Sequence, residues 1–331
     1  MNLQLAVGAT ALLALVAYAL FGGADLGGGI WDLFASGPRR REQRALVEEA
    51  IGPIWEANHV WLILVVTVLF TGFPAAFAAI STTLFLPLTV LLVGVVLRGA
   101  AFTFRAYDEG GDAAERRWGL IFSMSSVLAP LMLGAIVGAL SSGRLRLGPA
   151  GEPLAGPMAW LSGFSVATGL LATALFAFLA AVYLTVEASG ALQEDFRRRA
   201  IAAGAVTFIA AAGAAALSWH ESPLVFEGLT GRAWSLPLHF ATGAAATGAF
   251  WALITRRFTL ARPLAAAQVT LIVLGWGASQ YPYLLVPDVT LASAAAPPRT
   301  LVLLLTALGT GALTLIPSLW LLFRVFKRRI R

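Results

Sequence analysis

Long apolar runs, separated by short polar or basic loops, dominate the pattern of hydrophobic and polar positions along this chain. A run of about 20 apolar residues is long enough to cross the hydrocarbon core of a bilayer. The sequence predicts nine spans, at residues 4–33, 54–73, 79–104, 119–141, 159–187, 200–219, 236–255, 264–286 and 300–323. We therefore expect an all-α fold, a polytopic membrane helical bundle.

Composition agrees with this class, because 59% of the 331 residues are hydrophobic and only 12% are charged, which is far more apolar than a soluble domain needs. The absence of cysteine excludes disulfides, thiolate metal sites and cysteine nucleophiles. The net charge of +6 could indicate a nucleic-acid partner. However, the basic residues lie in short loops beside apolar spans rather than in one stripe, so no nucleic acid is expected.

The distribution of basic residues predicts the topology. If the C-terminus is cytoplasmic, 18 of the 23 Lys and Arg residues fall in segments on the inner side of the membrane. The positive-inside rule therefore places the N-terminus outside and the C-terminus inside.

The first and fifth spans are both long, and each ends near an acidic residue that precedes an arginine cluster. This similarity favours a pseudo-repeat, 1–142 and 159–286, within a single membrane domain, 1–331. The bundle would then contain two four-helix units and a ninth, peripheral helix, 300–323. Alternatively, the repeated basic loops arise from topology alone.

The stretch IGPIWEANHVWLI, residues 51–63, concentrates polar residues at the mouth of an apolar run. An ionisable residue in a membrane helix is costly unless it is paired, hydrated or functional. On a continuous helix, Glu56 and His59 would share one face, and Trp55 and Asn58 would form the adjoining stripe. Alternatively, Pro53 begins a helix whose positive end favours the carboxylate, and the tryptophans are interfacial anchors.

Five glycines surround Asp25 in the segment FGGADLGGGIW, residues 21–31. Glycines in a membrane helix let a neighbouring backbone approach closely, so we expect Asp25 to meet protein rather than lipid. A phosphate-binding loop is improbable, because neither a lysine nor a βαβ context accompanies these glycines.

Arg98 lies within the third predicted span, about 10 Å deeper than Arg105, which marks its cytoplasmic end. A guanidinium at that depth requires a carboxylate partner. The predicted topology brings Asp25, Glu56 and Glu187 to the same leaflet. Such a cluster could admit protons from the cytoplasm, or it could be an ion-pair network that fixes helix packing.

Histidine offers little prospect of a metal or haem site in this chain. His220 and His239 lie near the outer ends of predicted spans, where interfacial histidines are more common than haem ligands. No spacing of histidines and carboxylates resembles a zinc or copper site. We expect no metal site and no catalytic residue in this chain.

Three segments together resemble subunit II of cytochrome bd-type quinol oxidases. They are FGGADLGGGIWDLF, the pair Glu48 and Glu49 leading into IGPIWEANHVWLILVVTVLFTGFPAAFA, and RGAAFTFRAY. The resemblance is strongest over residues 1–140. The EANH form of the second motif is closer to the cyanide-insensitive branch of this family.

The resemblance implies a respiratory terminal oxidase in the bacterial plasma (inner) membrane, with this chain as a multi-pass subunit. Such a complex oxidises quinol near the outer face, reduces dioxygen to water and takes protons from the cytoplasm. Two b-type haems and one d-type haem would reside in the partner, subunit I, and this chain alone would bind none. A small single-helix subunit, and a structural quinone or lipid between the helices, are further expected partners.

The resemblance also assigns roles to individual residues. The family's acidic proton-path position falls on Glu56, where this sequence has the longer acid in place of Asp. The family pattern also supports Asp25, Trp55 and Arg98 as functional or structural polar positions. Together with the spacing of polar residues, this predicts a proton pathway of Glu56, Asp25 and His59, with Arg98, Trp55, Asn58 and Arg105 as structural or charge-compensating residues.

Two other functions would also explain buried charges in a membrane bundle. A proton-coupled secondary transporter is the first, but transporter repeats are commonly inverted, whereas two four-helix units in series would share one orientation. The second is a purely structural scaffold for subunit I.

Overall fold

The computed structural model describes residues 2–52, 55–107, 111–149 and 151–327. Its helices are α1 (Leu3–Leu33), α2 (Arg40–Ile51), α3 (Trp55–Asn58), α4 (Val60–Gly72), α5 (Pro74–Thr83), α6 (Phe85–Tyr107), α7 (Gly111–Ser141), α8 (Gly163–Glu187), α9 (Gly190–Glu221), α10 (Pro223–Gly231), α11 (Ser235–Ile254), α12 (Phe258–Gln280) and α13 (Pro298–Lys327). The strands β1 (Tyr283–Leu285) and β2 (Val289–Thr290) form an antiparallel hairpin between α12 and α13.

The predicted membrane helical bundle is confirmed. Within the described residues, eight helical segments are long and apolar enough to cross a membrane. They coincide with eight of the nine predicted spans. The remaining prediction, 236–255, coincides with the 20-residue helix α11, which is rich in Ala, Gly and Thr and is not among those eight. Its crossing of the membrane, and the orientation of the bundle, stay predictions.

Three predicted spans differ in detail from the helices. The span 79–104 is divided, because α5 ends at Thr83 and α6 begins at Phe85. The span 264–286 ends early, since α12 stops at Gln280 and the hairpin follows; Pro282 has no backbone N–H with which to continue a helix. The span 54–73 begins at a residue outside the described ranges and is interrupted between α3 and α4.

Helix α8 lies at the centre of the bundle. It packs against α1, α7, α9 and α12. Every residue from Ala174 to Val182 is apolar and buried. A helix that is apolar on all sides is expected in such a central position. In contrast, α13 packs against α1 and α4 and leaves most of its surface exposed.

The glycines of α1 explain how a polar residue comes to be enclosed there. A Cβ atom on Gly27 would overlap the backbone carbonyl of Phe176 in α8, and one on Gly29 would overlap the side chain of Ser126 in α7. The absence of side chains therefore lets α1 approach two helices at once. Asp25, two residues before Gly27 on the same helix, is buried, as the sequence predicts.

Candidate functional site

A polar cluster, called here the deep cluster, joins Asp25 of α1, Asn58 of α3, Arg98 of α6 and Ser126 of α7. Arg98 is 1% exposed. It donates one hydrogen bond to the backbone carbonyl of Asp25 (3.1 Å) and another to the Ser126 hydroxyl (3.2 Å). The carboxylate of Asp25 accepts a hydrogen bond of 2.6 Å from the Asn58 amide. The cluster thus ties four helices together through buried polar groups.

A second cluster lies two helical turns nearer the predicted cytoplasmic side. Asp32 is buried and accepts hydrogen bonds from Arg105 (3.2 Å) and from the Ser123 hydroxyl (2.8 Å). Asp25 and Asp32 are seven residues apart on α1, as are Arg98 and Arg105 on α6. Seven residues make about two turns and about 10 Å, so each acid of α1 meets one arginine of α6. Arg98 itself bonds to the backbone carbonyl of Asp25, and its pairing with a carboxylate stays a prediction.

On the short helix α3, one predicted site residue is exposed and another is buried. Glu56 is exposed, whereas Asn58 is 2% exposed and contacts Asp25. Helix α3 ends at Asn58 and α4 begins at Val60, and between them the His59 N–H donates a hydrogen bond of 3.2 Å to the Glu56 carbonyl. That Glu56 and His59 share one helical face stays a prediction. Residue 53, the predicted helix start, lies outside the described residues.

Trp55 packs against α6, and His59 packs against α1. The Trp55 ring lies 5.9 Å from the Phe102 ring of α6, so this tryptophan contacts protein and is more than an interfacial anchor. The His59 ring is 6.0 Å from Trp55 and 6.1 Å from Tyr18 of α1. Sequence reasoning missed Tyr18, although its position seven residues before Asp25 places both on one face of α1.

Other ionisable residues pair outside the deep cluster. Glu187, expected in the same leaflet, lies 3.7 Å from Arg262. Asp195, which sequence reasoning also missed, receives two hydrogen bonds from Arg39, at 2.6 and 2.7 Å. Two parts of the chain 156 residues apart are thereby linked on the predicted cytoplasmic side.

The two histidines on the predicted outer side, His220 and His239, make local contacts. His220 stacks on Trp219 with 5.8 Å between ring centroids. The Nδ1 atom of His239 lies 2.7 Å from the backbone carbonyl of Ser235, one turn earlier in α11. These contacts do not test whether the haems belong to a partner subunit, and this stays a prediction.

The buried acidic residues and arginines lie in the sequence motifs that carry the resemblance. Comparison with known protein families decides which family the chain belongs to. The family described as "Cytochrome bd terminal oxidase subunit II" matches residues 3–326. The chain belongs to this family. It is accordingly a multi-pass protein of the bacterial inner membrane, and the transporter hypothesis loses its support. Membership of the cyanide-insensitive branch stays a prediction.

Individual relatives agree with this assignment. The chain is 27% identical over 202 residues to "Cytochrome bd ubiquinol oxidase subunit 2" of Bacillus subtilis (strain 168), covering 61% of this chain and 59% of that protein. It is 28% identical over 208 residues to "Cytochrome bd-I ubiquinol oxidase subunit 2" of Escherichia coli (strain K12), covering 59% and 52%. The alignments thus span little more than half the length of these relatives.

A solved structure shares the fold of this subunit II over nearly its whole length. A chain of the bd oxidase from Geobacillus thermodenitrificans aligns with a TM-score of 0.83 at 23% sequence identity. The alignment covers 98% of this chain and 99% of that one. The helices that position the deep cluster therefore follow an arrangement found in a bd oxidase.

Proposed function

We propose that this subunit II is the partner of a haem-bearing subunit I in a complex that oxidises quinol and reduces dioxygen to water. The family membership supports this proposal, and both named relatives are ubiquinol oxidase subunits. The two b-type haems and the d-type haem would belong to subunit I. In this chain, the described residues would provide helix packing and a route for protons.

Exposed apolar side chains on α4 and α6 are compatible with a membrane partner or with lipid. Ile63 and Phe70 of α4 are exposed, as are Leu92 and Val96 of α6. Glu56 is exposed one turn before the start of α4. A carboxylate facing lipid would be costly, so a partner or a hydrated crevice beside the partner is the better environment for it.

We infer that Glu56, Asp25 and His59 belong to the route by which protons enter from the cytoplasm. The observation that carries this inference is the helix α3, which presents Glu56 at the surface and, two residues later, holds Asp25 through Asn58. A surface acid and a buried acid are thus connected by half a helical turn. Glu56 can exchange protons with water, while Arg98 and Asn58 stabilise a charged form of Asp25 in the interior.

The experiment compares Glu56→Gln and Asp25→Asn in the complex purified with its partner, with Glu49→Gln as the control. Glu49 is also an exposed acid, on α2, and lies outside the deep cluster. Quinol-dependent oxygen uptake should fall in the first two variants and persist in the control, while the haem bands stay unchanged. Full oxygen uptake by both acid variants would favour a purely structural scaffold.

A reduced-minus-oxidised absorption spectrum tests the partnership itself. Haem b and haem d bands are expected when this chain is purified with its membrane partner in mild detergent, and not when the folded chain is purified alone. Mass spectrometry of the same sample would reveal a small single-helix subunit and a retained quinone or lipid. Absence of haem from both folded samples would contradict the oxidase proposal.

We also propose that the chain contains two related units, 1–142 and 159–286, followed by a peripheral ninth helix. Equivalent helix neighbours support this idea: α1 packs on α4 and α7, as α8 packs on α9 and α12. The pair α6 and α7 likewise corresponds to the pair α11 and α12. Superposition of the two units with all four helices in register is the test, and a register that differs between helices would oppose duplication.

A further inference from the structure

Three buried polar atoms beside Asp25 have no hydrogen-bond partner within the described part of the chain. They are the Tyr18 hydroxyl, the Asn58 Oδ1 atom and the His59 Nδ1 atom. Tyr18 is 1% exposed and Asn58 is 2% exposed. Leaving a buried polar group without a partner costs about 1–3 kcal/mol, so native proteins pair such atoms with protein groups or with water.

These atoms belong to three neighbouring residues. Asn58 holds the Asp25 carboxylate through its amide nitrogen, which leaves Oδ1 as an acceptor. His59 is the next residue along the chain, and its ring lies 6.1 Å from the Tyr18 ring. Tyr18 precedes Asp25 by seven residues, so its Cα atom lies about 10 Å further from the predicted cytoplasmic side, and its ring packs over Gly22 toward Asp25.

The chemistry of the three atoms suits water. Asn58 Oδ1 can only accept a hydrogen bond, a tyrosine hydroxyl both donates and accepts, and a histidine nitrogen does one or the other according to its tautomer. Water molecules that donate to the amide oxygen and exchange hydrogen bonds with the hydroxyl would satisfy all three. Buried water commonly makes about three such bonds.

We propose that Tyr18, Asn58 and His59 bind a short chain of water molecules that carries protons from Asp25 toward the centre of the membrane. This inference rests on the proton route proposed above and extends it by one residue, Tyr18. In each transfer, a proton from the water on the Asp25 side binds a lone pair of the hydroxyl. The hydroxyl releases its own proton to the water beyond, and neutral tyrosine is restored.

The charged and titratable groups around this water chain come from three elements. Asp25 lies on α1, Arg98 on α6 and His59 between α3 and α4. The neighbouring polar group of α7 is the hydroxyl of Ser126, which accepts from Arg98. Glu56 is exposed on the other side of α3. Tyr18 is therefore a positioning and relay group whose loss should affect proton transfer rather than haem binding.

The test is Tyr18→Phe in the complex purified with its partner, because phenylalanine keeps the ring and removes only the hydroxyl. The matched control is Thr207→Val, which removes another buried hydroxyl, on α9, that has no hydrogen-bond partner among the described residues. We expect Tyr18→Phe to slow quinol-dependent oxygen uptake roughly tenfold, the fold-change for one lost hydrogen bond of about 1.4 kcal/mol. Its solvent deuterium isotope effect should rise, while the control should match the wild type.

Other outcomes separate this inference from the proton route itself. If Glu56→Gln and Asp25→Asn slow turnover but Tyr18→Phe has wild-type turnover and isotope effect, the route stands and the Tyr18 relay is refuted. If none of the three changes turnover, both proposals fail. Should Tyr18→Phe not assemble, an electron cryomicroscopy map of the wild-type complex decides: water density within hydrogen-bond distance of Tyr18 and Asn58 is required, and its absence where other waters are visible overturns the proposal.

Discussion

Arg98 donates a hydrogen bond of 3.1 Å to the backbone carbonyl of Asp25, and this contact fixes α6 against α1 at the depth of a buried acid. The guanidinium cannot turn to water, because it is enclosed by the Phe122 ring at 5.2 Å and by the Ser126 hydroxyl. The Arg98 guanidinium therefore both places a positive charge near Asp25 and holds α6 against α1 and α7.

Replacement of Arg98 by methionine should destabilise the subunit strongly. The change leaves the Asp25 carboxylate buried beside an apolar side chain, and removal of one partner from a buried charged pair typically costs roughly 3–5 kcal/mol. The thermal midpoint of the detergent-solubilised complex should fall. Addition of Asp25→Asn should recover part of the loss, and Arg198→Met, at a side chain that is 75% exposed, should have little effect. Equal effects of both arginine variants would contradict this account.

Replacement of Gly27 by alanine should prevent the normal packing of α1 on α8. The added Cβ would overlap the backbone carbonyl of Phe176, and backbone atoms of a central helix cannot move aside. Gly309→Ala in α13 is the matched control, since a Cβ there would meet no atom within 4 Å. We expect loss of assembled complex for the first variant and normal yield for the second, measured by size-exclusion chromatography and haem absorbance.

The Arg39–Asp195 ion pair should contribute only modestly to stability. Its two hydrogen bonds are short, but the Arg39 side chain is 36% exposed, so water and salt screen the attraction. A double-mutant cycle with Arg39→Gln and Asp195→Asn measures the coupling, which should decrease as salt increases. The Arg198–Glu194 pair, at 3.5 Å, is the comparison and should show almost no coupling. A salt-independent value would point to packing rather than charge.

The loops on the predicted outer side contain an ion pair between Arg146 and Asp288. Burial opposes ionisation of Asp288, but the hydrogen bonds from Arg146 (3.0 Å) and from the Leu147 N–H (2.8 Å) outweigh it and hold the pKa of this carboxyl below its ordinary value. A lowered folded-state pKa stabilises the protein above the unfolded-state pKa, near pH 4, and this contribution is lost as the pH falls through the folded-state pKa.

Asp288→Asn should therefore lower the thermal midpoint at pH 7, and the difference from the wild type should shrink as the pH falls below about 4. Thermal unfolding of both proteins across this range checks the prediction. A difference that stays constant with pH would mean that the hydrogen bonds, and not the charge of the carboxylate, stabilise the loop.

The sequence by itself determined the class of the protein, eight of the predicted spans and the burial of Asp25. These features depend on the free-energy cost of placing polar or charged groups in the membrane, which can be judged from one stretch of sequence at a time. An apolar run of sufficient length crosses a bilayer wherever it lies in the chain, and a buried charge requires compensation whatever its neighbours. The family motifs added the proton-path hypothesis, which awaits its test.

Only the tertiary structure decided which side chains meet. It placed Tyr18 beside His59, joined Asn58 to Asp25, and joined Arg39 to Asp195 across 156 residues. These contacts depend on how closely α1 approaches its neighbours, and the Gly27 and Gly29 positions allow that approach. Periodicity and composition describe one helix at a time, whereas packing between distant helices sets the distances on which the chemistry depends.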